Sequence, residues 1–112
     1  MRAEEAGKAL AHREKYDLVT ARAVARLNVL YEYCLPLCKK GGTFCSMKGP
    51  SAKEETDEAK RACALLGGGN ASVFEETLTG EEKRAFVVLK KISQTPPKYP
   101  RISAKISKQP LI

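Results

Sequence analysis

Strand-like and helix-like patterns alternate twice in this chain before a triple-glycine break. Tyr16-Asp17-Leu18-Val19-Thr20-Ala21 reads as a short buried strand bounded by charge. Behind it Val24, Leu27, Tyr31, Cys34 and Cys38 form an apolar stripe at helical spacing. Pro36 is expected to kink or shorten that helix, since it lacks a backbone donor and crowds the preceding turn. Gly41-Gly42 is expected to close it. Thr43 to Met47 reads as a second strand, followed by a break at Gly49-Pro50. Ser51-Ala52-Lys53-Glu54 then has the spacing of a capping box. The helix it opens carries Ala59, Ala62, Cys63 and Leu66 on one face and stops at Gly67-Gly68-Gly69.

Two βα units in succession predict a parallel sheet with right-handed crossovers. A third strand is expected over Ser72 to Leu78 and a fourth over Ala85 to Ile92, joined by the turn Thr79-Gly80-Glu81-Glu82. So short a turn predicts an antiparallel hairpin at the end of the sheet. After Ile92, the run Thr95-Pro96-Pro97-Lys98-Tyr99-Pro100 predicts an extended tail lying on the surface. The expected organisation is therefore a partial α/β domain over residues 1–94 and a basic tail over 95–112.

A chain of 112 residues suffices for one modest core. With 43% hydrophobic and 29% charged residues it reads as a folded, soluble chain. Its apolar runs are too short to span a bilayer. Glu4, Glu5, Lys8, His12 and Arg13 interrupt any leader-like segment, so a cytoplasmic location is expected. Cys34, Cys38, Cys45 and Cys63 sit in otherwise apolar segments, and reduced thiols are the natural state in that compartment. The paired CxxC knuckles of a structural zinc site are absent, so no metal is expected.

Charge is unevenly placed. From Lys83 onward there are eight Lys and Arg residues and no Asp or Glu, which against a chain total of +7 leaves the first 82 residues at −1. A concentrated basic segment suits a polyanion such as RNA, although a solvated, solubilising tail has the same composition.

The local motifs narrow the reading. Arg2-Ala3-Glu4-Glu5, Tyr16 to Ala25, Leu35-Pro36-Leu37, Gly41-Gly42-Thr43-Phe44, Met47-Lys48-Gly49 and Thr95-Pro96-Pro97-Lys98-Tyr99-Pro100-Arg101 occur in this order. Each is weak alone; together they resemble the RsmG family, formerly glucose-inhibited division protein B, over almost the whole chain. The family methylates guanine N7 in small-subunit (16S) ribosomal RNA with S-adenosyl-L-methionine. The resemblance implies the C-terminal half of a class I (Rossmann-like) methyltransferase, parallel βαβα followed by an antiparallel hairpin. By it, the chain begins where the third strand of the full enzyme would be finishing. The family's glycine-rich cofactor turn and ribose-binding acid are absent. Gly67-Gly68-Gly69 is no substitute, because it follows a helix where the cofactor turn follows a strand.

Residue roles follow from the same resemblance. Ala3 and Glu4 match positions that line the adenine pocket, and Arg22 matches a cofactor contact. Arg22 would also stand at the carboxyl end of a parallel strand, where open sheets bind ligands. Lys48 occupies the same rim after the next strand and could meet an RNA phosphate. In Lys98-Tyr99-Pro100-Arg101 a ring flanked by cations could stack on an unpaired base. Beyond Arg101 the match is poorer: Ile102, Ala104 and Ile106 stand where the family often has a basic residue, glycine and proline.

No catalytic base is expected, since guanine N7 carries a lone pair and no proton, and alignment of donor and acceptor suffices. The expected function is methylation of ribosomal RNA by a protein of which this chain is a C-terminal fragment, inactive alone. A non-catalytic RNA-binding remnant and a reading frame without function of its own are the alternatives. An open sheet edge would further favour self-association.

Overall fold

In the computed structural model the described residues are 12–21, 26–48, 52–77 and 83–111. They form a four-stranded mixed sheet with helices packed on one face. In chain order the elements are β1 (Tyr16–Ala21), α1 (Leu27–Cys34), a 3-10 turn (Leu35–Leu37) and β2 (Cys38–Lys48). There follow α2 (Ala52–Glu58), α3 (Lys60–Leu65), β3 (Ser72–Thr77), β4 (Lys83–Lys90) and α4 (Ser103–Lys108).

The sheet order is β1-β2-β4-β3. β1 and β2 are parallel, as the two βα units require. β4 is antiparallel to both β2 and β3, so β3 runs in the direction of β2 without touching it. The hairpin at the end of the sheet is thus present, with its return strand on the inside. Side-chain character explains the exchange. β4 is apolar on both faces, with Ala85, Val87 and Leu89 buried on one and Phe86 and Val88 half-buried on the other, as an interior strand demands. β3 carries exposed Phe74 and Glu75 and takes the edge.

Leu27, Leu30, Tyr31 and Leu35 pack with Ala59, Cys63 and Leu66 on Phe44, Val87 and Leu89. The Tyr31 ring meets Phe44 edge-on at 5.6 Å between centroids. Each of the Leu, Val and Phe side chains here contributes about 1.5–3 kcal/mol on burial. The other sheet face is less covered. Leu18 pairs with Thr43, and Met47, Phe86 and Phe74 form one cross-strand row. Leu18 is 60% and Phe74 59% exposed.

Two boundaries differ from the sequence reading, and a third position cannot be compared. Gly41-Gly42 does not close α1 but lies inside β2, because Leu35-Pro36-Leu37 already ends the helix as a 3-10 turn. The Gly41 N–H donates to the Lys91 carbonyl at 2.7 Å and the Lys91 N–H to the Gly42 carbonyl at 2.9 Å. The second helix is broken at Ala59 into α2 and α3. The proposed capping serine, Ser51, lies outside the described residues.

The tail is not simply extended. Thr95, Tyr99, Pro100 and Ile106 are buried, and Ser103–Lys108 is helical. The Arg13 guanidinium donates to the carbonyls of Tyr99, Thr95 and Pro96 at 2.6, 2.9 and 3.0 Å. The Glu14 carboxylate accepts the Thr95 N–H at 2.7 Å. These partners come from the segment before β1, so composition of the tail alone could not reveal its docking. Among the described residues no helix is long and apolar enough to cross a membrane.

Candidate functional site

Parallel β1 and β2 end at Ala21 and at Lys48, two residues past the partner of Ala21, Ser46, and a helix on the same face follows each. That rim is where open α/β sheets take ligands. At its centre Lys48 is 5% exposed, with its ammonium 3.0 Å from Glu55 Oε1. The same oxygen accepts the Leu27 N–H at 3.1 Å. A carboxylate on the first turn of α1 meets unpaired backbone donors and the positive end of the helix dipole. Glu55 therefore locks the start of α1 to the end of β2. Arg26, just before α1, pairs with Glu58 at the surface, and this hydrogen-bonded carboxylate raises the arginine pKa.

The expected site residues are distributed as follows. Ala3, Glu4 and Arg22 lie outside the described residues. Lys48 stands at the rim as expected, but buried and engaged by Glu55, so its ammonium is not offered to a phosphate. Lys98 is exposed, with its ammonium 5.2 Å from the centroid of the Tyr99 ring. Tyr99 is 6% exposed, packed into the core cluster, and has no open face on which a base could stack. Arg101 is turned inward to Glu32, whose carboxylate takes the Arg101 Nη2 at 2.7 Å, Nε at 2.9 Å and backbone N–H at 2.7 Å. This hydrogen bonding raises the Arg101 pKa. Within the described part of the tail, the cations left at the surface are Lys98 and, on α4, Lys105 and Lys108.

Sequence reasoning missed the carboxylates that organise these cations. Glu32 had a signal: it is the only charge in the otherwise uncharged segment Leu27–Leu37. Lys91 had one too, as a cation at the end of a strongly apolar strand. It is 1% exposed and donates to Glu14 Oε1 at 3.2 Å and to the carbonyls of Leu35 and Cys38 at 2.7 and 2.9 Å. Three donors meet three acceptors. Glu55, in a charged helix, gave no signal.

The residues described do not by themselves form a cofactor cradle. Gly67-Gly68-Gly69 ends α3, and its backbone is bonded to Lys90, Ile92 and Ser93, leaving no strand-to-helix turn. All four cysteines are free, and among the described residues no group of three or more His, Cys, Asp or Glu could hold a metal.

Parallel β1-β2, helices on the crossovers and an antiparallel strand inserted before the last parallel one define the class: the sheet is that of a Rossmann-like methyltransferase. A T. thermophilus 16S rRNA N2 methyltransferase (RsmC), solved in complex with AdoMet and guanosine, matches it with a TM-score of 0.51. The match covers 82% of this chain and 24% of that one at 20% identity, a likeness of fold.

The family follows from the sequence. This chain belongs to the GidB family, rRNA small subunit methyltransferase G, whose model matches residues 1–87. Ribosomal RNA small subunit methyltransferase G of Lactobacillus acidophilus is 51% identical over 98% of this chain and 46% of its own length. That of Acetivibrio thermocellus is 52% identical over the same shares. That of an Exiguobacterium species is 49% identical over 99% of this chain and 47% of its own length. The chain thus spans a little under half the length of these relatives.

Proposed function

We propose that this chain is the C-terminal part of an S-adenosyl-L-methionine-dependent enzyme that methylates a guanine N7 in small-subunit ribosomal RNA. Family membership over most of the chain carries the reading. The sheet supports it, because among the described residues β1 has a partner on one side only and so offers an edge to a further parallel strand. Exposed Leu18 and Phe74 belong to a face that parallel sheets normally bury under a second helical layer.

The cofactor would supply an activated methyl group. Residues of this chain would contribute position: Ala3, Glu4 and Arg22 toward the cofactor, and the Lys48–Glu55–Leu27 junction as the rigid wall beside them. Exposed Lys98, Lys105 and Lys108 would meet RNA phosphates, with Tyr99 and Arg101 fixing the tail that carries them. On this reading the protein works in the cytoplasm, where ribosomes are assembled. Self-association through the β1 edge competes with completion of the sheet. A non-catalytic RNA-binding role rests on the same exposed cations.

The test is transfer of labelled methyl groups from S-adenosylmethionine to small-subunit RNA. It is run with this chain alone and with the chain mixed with the N-terminal half of a relative. Transfer by the mixture only is the expected result. Transfer by the chain alone would overturn the reading as a fragment. A stable but inactive mixture that still binds RNA would favour the non-catalytic role.

A further inference from the structure

A cavity of about 670 Å³ opens between α2, α3 and the loop leading into β3, within the size range of small-molecule sites. It lies on the helical side of the sheet, and its walls include none of the rim residues. Tyr31, 1% exposed, is among the lining residues.

The mouth is charged in an unusual way. Asp57 and Lys60 both line it, three positions apart. On one continuous helix such a pair would meet. Here the break at Ala59 separates the end of α2 from the start of α3. Among the described residues neither side chain makes a hydrogen bond or ion pair. Asn70 supplies an amide on the same wall, and Ile92, 61% exposed, an apolar one.

We propose that this cavity binds a small zwitterion of the free α-amino-acid class. Lys60 takes the carboxylate and Asp57 the ammonium. The side chain lies against Ile92. A singly charged ligand would leave one of the two wall charges unmatched on desolvation. The site stands apart from methyl transfer and does not depend on it.

The experiment is an amide-resolved NMR titration of the full chain with L-phenylalanine as probe. N-acetylphenylalanine and phenylalaninamide serve as the singly charged controls. The expected result is saturating shifts at Gly68, Gly69 and Ala71, with a Kd of about 1 mM, and at least about tenfold weaker binding of both controls. Lys60→Gln and Asp57→Asn, both at exposed positions, are each expected to weaken the amino acid about tenfold. Equal binding by the controls, or no shift with any of the three, overturns the proposal. That comparison uses the unaltered chain, so it holds even if a variant folds poorly.

Discussion

Arg101 closes a forked ion pair on Glu32, 69 residues earlier in the chain, and also donates its backbone N–H to the same carboxylate. Glu32 is wholly buried in α1 and Arg101 is largely so. The tail is thereby fastened to the first helix by a charge that has no other exit. Two charges removed from water stabilise little in sum, but either one left alone is costly.

Arg101→Ala is therefore expected to destabilise the fold by about 3–5 kcal/mol, through the uncompensated Glu32 carboxylate. Glu32→Met with Arg101→Met should recover most of that loss. Urea denaturation of the wild type and the two variants checks this. A single variant as stable as the double one would show that the pair is not coupled.

Lys91 gives a pH dependence. Burial lowers its pKa from the ordinary lysine value, and the Glu14 carboxylate only partly offsets that effect. Between the lowered folded pKa and about 10.4, the unfolded chain binds more protons at this position than the folded one. Stability from Lys91 therefore rises with pH across that window and is flat below it. Lys91→Met should cost about 3 kcal/mol by stranding buried acceptors, and should remove the rise. The measurement is the difference in unfolding free energy between wild type and variant against pH, in a Cys38→Ala background because Lys91 acts on that thiol; the contributions of Cys34 and Cys63 cancel. A difference that does not change on approaching the lysine range would refute the assignment.

The cysteines should be poor nucleophiles. Burial pushes the Cys34 thiol up to about 12 and the Cys63 thiol up to about 11. Cys38 is raised too, chiefly by burial, although Lys91 pulls the other way. Since thiolate is the reactive form, alkylation of these three in the native protein at neutral pH should be slow. Cys45, half-buried on the less covered sheet face, should be modified first. Mass-mapped iodoacetamide labelling tests the order, and rapid native labelling of Cys63 would contradict it.

Two glycines with positive φ should differ sharply on substitution. Gly67 has φ +92°, and a Cβ there would lie 2.2 Å from the Ser93 carbonyl oxygen. Gly41 has φ +88° but nothing within 4 Å of a built Cβ. Gly41→Ala should cost about 1–2 kcal/mol, the strain of a left-handed residue alone. Gly67→Ala should cost clearly more, since backbone must also move. Equal losses in thermal melts would mean that the Gly67–Ser93 approach relaxes freely.

The strands, the parallel β1-β2 pair and the hairpin were legible in the sequence because they rest on local periodicity and turn chemistry. The ordered motifs from Arg2 to Arg101 carried the family, which the family model over residues 1–87 and relatives matching 98% of the chain bear out. The insertion of β4 inside β3 was not legible. Strand order depends on which strand is apolar on both faces once both are present, and that is a comparison between segments. The sequence marked Lys48, Tyr99 and Arg101 by residue type at motif positions. Tertiary structure alone turned them inward, because their partners Glu55, the core cluster and Glu32 come from distant elements. Local sequence determines which segments are strands and helices. Which charges remain for a ligand is decided only when the chain closes and each buried cation finds its carboxylate.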